Sequence, residues 1–487
     1  MSPWLILACV AAYFTLLLGI AWVTGRRADE AGYFLGNKRS PWYVVAFGLI
    51  GDSLSGVTYL SVPGQVGTAK CGYLQVVFGY VLGYVVIAQV LLPLYYRLNL
   101  TSIYSYLGDR FGRSAELTGA GFFLLSRTLG AAARLFLAAN VFQAFVFDRL
   151  GIPFWFTVTA IIALILIYTW RGGIKTLVWT DSFQSFFLVL GVILSIGLIA
   201  RELGLGPSGM VRQIVESPLS QVFFWDWRAP DNFWKQFLSG AAIAVVMTGL
   251  DQNNMQKTLS CRSLRESQKN LYSFAVILVA VNAFFLALGV LLHQFVAAKG
   301  FAAPAQPDQL FPTVALQYLG PVAAMVFVLG LTAATFNSAD SVLTTLTTSF
   351  CIDFLGFERR TDLTPKLQTR WRHAAHLGFA LILLAAILVF KAANRGAVIQ
   401  LVLKMAGYTY GPLLGLFALG LLTKVRVGGP WVPVVCVAAP VVCWVLAANS
   451  AAWLDGYVFG FELLILNGLL VAAGLVVLAR WQGDTVR

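Results

Sequence analysis

The stretch AFGLIGDSLSGVTYLSVPGQV, residues 46–66, decides the fold. Its helix breakers are Gly48, Gly51, Gly56, Pro63 and Gly64, and its polar residues are Asp52, Ser53, Ser55 and Thr58. A continuous helix in lipid does not carry so many breakers and hydroxyls at mid-depth, because no water is available there to satisfy freed polar groups. The pattern favours a helix that is interrupted near its middle, with unwound carbonyls facing a site inside the protein. A kinked packing helix with small residues for close contact is the alternative.

The composition of the chain predicts an all-α polytopic membrane protein. Of its 487 residues, 59% are hydrophobic and 11% are charged, and the mean hydropathy is +0.78. A soluble protein carries about twice that charged fraction. The apolar runs are continuous over about 20 residues, which excludes a barrel of short alternating strands. We predict thirteen spans in a cell membrane (plasma or inner), centred near residues 14, 54, 84, 130, 160, 190, 244, 281, 333, 381, 409, 438 and 468.

The net charge of +13 is explained by membrane orientation and not by a nucleic-acid partner. If the N-terminus lies outside, 22 of the 34 basic residues fall on inner segments, nine fall outside and three lie within spans. The positive-inside rule therefore predicts an outer N-terminus and an inner C-terminus. Lys257 is counted among the inner residues. A nucleic-acid-binding protein would need a basic soluble domain, and the sequence has none. No phosphate-binding GxxxxGK[ST] motif is present, so the energy for any pumping comes from an ion gradient.

A second interrupted helix is predicted in the seventh span. The stretch MTGLDQNNMQKTLSCRS, residues 247–263, breaks at Gly249 and continues with five polar residues within six positions. Mirrored against residues 46–66, this pattern is typical of the other broken helix in an inverted repeat. An ordinary helix end at the inner surface is the alternative. A third irregular helix is indicated by Lys404 and the glycines and proline of residues 407–412.

The ninth span carries an unusual density of side-chain oxygens. The stretch NSADSVLTTLTTSF, residues 337–350, holds an amide, a carboxylate and several hydroxyls on a helix that must be buried. Oxygen ligands suit hard cations, and sodium prefers the same donors. Hydroxyls that bond back to helix carbonyls are the alternative, which explains the threonines better than it explains Asp340. In the sixth span, Asp181 is either part of such a polar site or an ion pair at the inner end of its helix.

Two arginines lie within the fourth span. Arg127 and Arg134 are seven residues apart, so they share one face of a helix. A guanidinium group keeps its proton, and each arginine therefore needs an anion or a water-filled cavity. For Arg134, a substrate carboxylate and a structural ion pair remain open alternatives. For Arg127 we favour a structural ion pair, with Asp52, Asp181 or Asp340 as the partner.

These segments together resemble the sodium:solute symporter family. The resemblance is carried by SLSGVTYLSVPGQ (53–65), GGIKTLVWTDSFQ (172–184), TGLDQNNMQKTLSCRS (248–263) and NSADSVLTTLTTSFCID (337–353). It implies one transporter domain over residues 1–487, built from two inverted repeats of five helices. The leading span and loop would be residues 1–40, the repeats 41–201 and 233–423, and the last two spans 424–487.

The resemblance also implies where ions and solute bind. The main sodium site would be formed by Gly51, Leu54, Ala334, Asn337 and Ser338. Asn337 departs from the usual hydroxyl residue, although an amide oxygen can still coordinate sodium. A second site, for sodium or a proton, would be formed by Asp181, Asn337, Asp340 and Ser341. The solute would contact Ser53, Ser55, Thr58, Gln75 and Arg134.

The implied function is sodium-coupled symport by alternating access, with Na⁺ as the coupling ion. Arg134 points to a carboxylate-bearing solute such as a sugar acid, a sialic-acid-like compound or an amino acid. Thr58 and Ala244 stand where the sugar-transporting branch has polar groups, which argues against a plain hexose. A sodium/sugar or polyol symporter, and a sensor or channel of the same fold, are the alternatives. No nucleophile, base or metal constellation indicates an enzyme, and no protein partner is required.

Overall fold

The computed structural model describes residues 3–25, 33–34, 36–360, 362–393 and 398–482. Within these ranges the chain is helical, and its extended pairing is an isolated bridge between Ser40 and Cys261. The predicted all-helical class is confirmed. Four basic residues used in the orientation argument lie outside the described residues, namely Arg26, Arg27, Arg395 and Arg487. The orientation itself stays a prediction.

The described residues contain nine helices that are long and apolar enough to cross a membrane, and three bent helix pairs that raise the number to twelve. The nine are Trp4–Gly25, Tyr73–Arg97, Arg113–Phe142, Gly173–Glu202, Leu264–Lys299, Gly320–Phe354, Pro365–Ala392, Trp431–Trp453 and Leu463–Trp481. The span predicted near residue 160 falls on Phe154–Ile167, a shorter apolar helix. A thirteenth span therefore stays a prediction.

A glycine separates that shorter helix from the one that follows it. Gly173 has φ 51° and ψ −149°, a conformation that a side chain disfavours. A Cβ at this position would also lie 2.5 Å from the carbonyl oxygen of Tyr33. The chain can therefore turn here only with glycine, and the turn starts the helix Gly173–Glu202 that carries Asp181.

The first broken helix consists of Trp42–Ser53 and Gly56–Ala69, which meet at an angle of 58°. Between them Leu54 has φ −102° and ψ 72°, and Ser55 is extended at φ −72° and ψ 178°. The last carbonyls of a helix lack partners within that helix. The break therefore frees the carbonyls around Gly51 inside the protein, and the interruption predicted from residues 46–66 is confirmed.

The second broken helix consists of Phe233–Gly249 and Gln252–Thr258, which meet at 68°. Asp251 lies at the break and caps the second half, because its carboxylate accepts the backbone N–H groups of Asn253 at 3.0 Å and Asn254 at 3.4 Å. The prediction of a break after Gly249 is confirmed. The third bent pair, Val402–Thr409 and Gly411–Leu422, meets at 43° and confirms the predicted irregular helix.

The helix Gly320–Phe354, called the polar helix below, is buried among the others. Thr345 and Thr348 donate to the carbonyls of Ser341 and Thr344, at 2.9 and 3.0 Å. Back-bonding to the helix therefore accounts for these threonines. Asn337, in contrast, donates to a different helix, at the carbonyl oxygen of Asp181. The polar residues of this helix thus divide into a self-satisfied set and a set that faces its neighbours.

Candidate ion and solute sites

The break in the first broken helix contacts the polar helix directly. The N–H of Gly51 donates to the hydroxyl of Ser185 at 2.9 Å. A Cβ on Gly51 would lie 2.6 Å from Cγ of Asn337 and 2.8 Å from Oγ of Ser185, closer than side chains approach. Glycine is therefore required where the first broken helix meets Asn337.

Asn337 approaches Gly51 with its amide nitrogen Nδ2, and the oxygen of the same amide is unsatisfied. Its Nδ2 donates to the carbonyl oxygen of Asp181 at 3.0 Å, and its Oδ1 has no hydrogen-bond partner within the described part of the chain. Leu54 is 2% exposed, and Ala334 and Asn337 are fully buried. The side chain of Ser338 lies outside the described residues. A buried oxygen without a partner, next to carbonyls freed by a helix break, is a donor set that fits a sodium ion.

The residues predicted for a second cation surround a lysine. Lys257, in the second broken helix, contacts Asp52 through Nζ and reaches Oδ2 of Asp181 at 2.5 Å. It also donates to the hydroxyl of Ser341 at 2.6 Å, and that hydroxyl lies 3.1 Å from Oδ1 of Asp340. We call Asp52, Asp181, Asp340, Ser341 and Lys257 the lysine cluster. The structure brings the predicted Asp181, Asp340 and Ser341 together, and adds a cation from the protein.

The burial of Lys257 is a feature that the sequence did not predict, whereas its assignment to an inner basic segment stays a prediction. Its side chain is 2% exposed. The sequence signal was its place in the polar run that follows the break at Gly249, but this run also suits a solvated helix end. The burial of Lys257 depends on how the second half of the broken helix packs against neighbouring helices, which the local sequence does not show.

Arg127 forms a structural ion pair, although with a partner that the sequence analysis did not name. Its Nε and Nη2 bind Oδ2 and Oδ1 of Asp251 at 2.5 and 2.6 Å, and both side chains are buried. The hydroxyl of Tyr410 donates to the same carboxylate at 2.8 Å. The expected partners Asp52, Asp181 and Asp340 belong to the lysine cluster instead. Asp251 therefore ties the arginine helix, Arg113–Phe142, to the second and third bent pairs.

Arg134 lies two turns further along the arginine helix, and its surroundings are different. Within the described residues, no hydrogen bond or ion pair reaches its guanidinium group. It lines a cavity together with Ser53, Ser55 and Thr58. The cavity is further lined by Asp52, the paired Arg127, Tyr73, Tyr80, Tyr84 and the apolar residues around Met247. Four of the five residues predicted for the solute thus share one cavity next to the ion site.

Gln75 does not line this cavity. Both polar atoms of its amide are hydrogen-bonded, because Nε2 donates to the carbonyl oxygen of Asp231 at 3.0 Å and Oε1 accepts the N–H of Phe224 at 3.2 Å. It lies beside a larger cavity, which Lys404 also lines. The two cavities share Tyr73 and Leu403 in their walls. Gln75 therefore holds the backbone at Asp231 and Phe224 and lines the larger cavity, and its predicted contact with the solute stays a prediction.

The sequence matches the family model described as the sodium:solute symporter family over residues 33–427. A sodium-coupled monocarboxylate transporter 1 from Xenopus laevis is 26% identical over 434 residues, which are 86% of this chain and 66% of that protein. The human sodium/iodide cotransporter is 24% identical over 420 residues, 83% of this chain and 63% of that protein. This chain thus spans less than two thirds of the length of both relatives.

The fold is shared with solved transporters. A sodium-coupled sialic acid symporter, solved in a substrate-bound outward-open state, superposes with a TM-score of 0.81 at 20% identity and covers 98% of both chains. A nucleobase-cation-symport-1 family transporter superposes with a TM-score of 0.54 at 11% identity over 94% of this chain. At these identities the likeness concerns the fold. The family model covers most of the chain, and the chain belongs to the sodium:solute symporter family.

Proposed function

We propose that this protein is a sodium-coupled symporter that imports a small carboxylate by alternating access. The observation that carries the proposal is Arg134, whose guanidinium group faces a cavity and makes no hydrogen bond or ion pair within the described residues. A cation in a membrane interior is costly unless it is paired or faces water. The neighbouring Arg127 shows how this protein pairs a structural arginine, with a bidentate carboxylate. Arg134 lacks that arrangement, so the anion that it suits comes from the solute.

Sodium is proposed to bind between the first broken helix and the polar helix. The ligands would be the carbonyls of Gly51, Leu54 and Ala334 with Oδ1 of Asn337 and the hydroxyl of Ser338. The unpartnered Asn337 oxygen supports this choice, as does the close approach of the Asn337 side-chain amide to Gly51. An ion bound there would hold the two helices together one turn from Ser53 and Ser55 in the solute cavity.

The size of the cavity favours a short carboxylate. Its volume is about 80 Å³. A water molecule needs about 10–15 Å³ of such space, so the cavity holds the equivalent of about five to eight waters. A monocarboxylate of three or four carbons has about as many non-hydrogen atoms, whereas a sialic-acid-sized solute has several times more. The similar Xenopus laevis protein is named a monocarboxylate transporter, which agrees with this choice.

The proposal includes the placement of the chain in a cell membrane, plasma or inner, with the N-terminus outside and the C-terminus inside. The repeats would be residues 41–201 and 233–423 of a single transporter domain. In support, the bent pairs 42–69 and 233–258 each stand at the start of one proposed repeat. In this orientation we propose that the larger cavity beside Lys404 faces outward, with Tyr73 and Leu403, which line both cavities, between it and Arg134.

The experiment is uptake into proteoliposomes that contain the purified protein and have sodium outside. Radiolabelled lactate and its neutral amide, lactamide, form a matched pair that differs in the carboxylate. We expect accumulation of lactate driven by the sodium gradient, and no accumulation of lactamide. Charge-assisted hydrogen bonds to a carboxylate contribute about 3 kcal/mol, so Arg134→Gln should raise the half-saturating lactate concentration about 100-fold.

Arg212→Gln is the matched control, because Arg212 is an exposed arginine in a surface pair with Glu216. It removes the same charge away from the cavity and should leave uptake unchanged. A panel of longer sugar acids, an amino acid and a hexose tests the size argument. The proposed function would be contradicted by lactate uptake that does not depend on sodium. It would also be contradicted by an Arg134→Gln variant that keeps the wild-type preference for lactate over lactamide.

A further inference from the structure

We propose that the ammonium group of Lys257 occupies the second cation position, so that one sodium ion is coupled to each solute. This inference rests on the proposed function, since it concerns the stoichiometry of the same transport cycle. It replaces a second dissociable ion by a cation that is covalently part of the protein.

The geometry of the lysine cluster carries the inference. Nζ of Lys257 contacts oxygens from three separate helices, namely Asp52 of the first broken helix, Asp181 of Gly173–Glu202, and Ser341 of the polar helix. Asp340 completes the set through its contact with the Ser341 hydroxyl. Carboxylate and hydroxyl oxygens are the donors that a sodium ion would take. The ammonium therefore sits where the oxygens for a second sodium converge.

Burial makes the ammonium a permanent occupant. Lys257 is 1% exposed, Asp52 is 5% exposed, and Asp181, Asp340 and Ser341 are fully buried. A charged lysine head group withdrawn from water needs close counter-charges, and two carboxylates contact it here. A sodium ion at the same oxygens would lie beside a second positive charge in a medium that screens poorly. The ammonium thus excludes the ion that the oxygens would otherwise bind.

The main sodium position lies outside this arrangement. Asn337 contributes its unpartnered Oδ1 one turn before Ser341, and within the described residues its side chain makes no hydrogen bond to Lys257. The two positions are linked through Asp181, whose carbonyl oxygen accepts from Asn337 and whose carboxylate binds Lys257. One position is open to sodium from solution, and the other is filled by the chain.

The experiment measures the ratio of labelled sodium to labelled lactate that enters proteoliposomes in the same initial interval. For the wild type we expect a ratio of about one and a sodium dependence with a Hill coefficient near one. Lys257→Ala empties the cluster and should raise the ratio to about two, because sodium can then reach the freed oxygens. Lys257→Arg keeps a cation in place and should hold the ratio at one. Lys269→Ala, an exposed lysine in Leu264–Lys299, is the matched control.

A wild-type ratio of two would overturn the inference while leaving sodium-driven uptake, and thus the proposed function, intact. A Lys257→Ala protein that still transports with a ratio of one would overturn it as well. If the alanine variant does not fold, equilibrium binding of labelled sodium to the purified wild type decides. One bound ion per chain supports the inference, and two refute it. The absence of any sodium-driven uptake would instead contradict the proposed function.

Discussion

The buried pair of Arg127 and Asp251 offers a sharp test of which arginine is structural. Asp251 accepts two hydrogen bonds from Arg127, one from Tyr410 and two from the backbone of the helix that it caps. Asp251→Asn keeps the size of the side chain and a good capping group but removes the charge. Arg127 would then be buried without a counter-charge, which costs about 3–5 kcal/mol.

Thermal unfolding of the purified protein in detergent measures this cost. With an unfolding entropy of about 2.1 cal/mol/K per residue over 487 residues, the loss corresponds to a fall in Tm of about 3–5 °C. The double variant Arg127→Met/Asp251→Asn removes both charges and should recover most of this loss. The reason is that the net stabilisation by a buried ion pair is much smaller than the destabilisation by one buried charge without a partner. Lactate affinity should fall little in the double variant, since Arg134 keeps its position in the cavity.

Two results would refute this reasoning. A Tm for Asp251→Asn within 1 °C of the wild type would mean that the ion pair is not formed in the membrane protein. An Arg127→Met variant that is stable but no longer prefers lactate to lactamide would show that Arg127, and not Arg134, binds the solute carboxylate.

The remaining predictions concern the main sodium position. Gly51→Ala places a Cβ against Asn337 and Ser185. The resulting overpacking of about 1–3 kcal/mol should weaken sodium binding about 5- to 150-fold, as measured by sodium-dependent thermal stabilisation. An unchanged sodium affinity would mean that this contact does not lie at the ion. Asn337→Leu removes the unpartnered oxygen at similar volume and should abolish sodium-driven uptake. Asn337→Ser keeps a side-chain oxygen and should retain part of the sodium-driven uptake. An equal loss of uptake in both variants would argue against Asn337 as a sodium ligand.

The breaks in the fold were readable from the sequence because their causes are local. Glycine and proline weaken a helix through their own backbone properties, and a cluster of them beside polar residues marks a break that faces the protein interior. Residues 46–66 and 247–263 contain both signals, and both form bent helix pairs. The family resemblance then placed Ser53, Ser55, Thr58 and Arg134 on one solute site, and the structure places them on one cavity.

The partners of the buried charges were not readable in the same way. Arg127 and Asp251 are 124 residues apart, and the sequence offered three other carboxylates that were equally suitable. Lys257 follows a predicted break in a run that suits a solvated helix end as well as a buried one. Gln75 lies only a few residues from the solute cavity wall at Tyr73, yet its amide faces a loop. The partner of each buried polar side chain depends on how the helices pack against one another, which neither composition nor residue spacing shows.

The buried charges give a physical reason for sodium to bind before the solute. The carboxylates of this region are Asp52, Asp181, Asp251 and Asp340, and the cations are Arg127, Arg134 and Lys257. With all seven ionised, the region carries one net negative charge, which opposes entry of a carboxylate. A sodium ion beside Asn337 brings the sum to zero and leaves Arg134 free to attract the solute. If Lys257 supplies the second cation, a single sodium is enough for this change, so sodium should lower the half-saturating lactate concentration, whereas raising lactate without sodium should produce no binding.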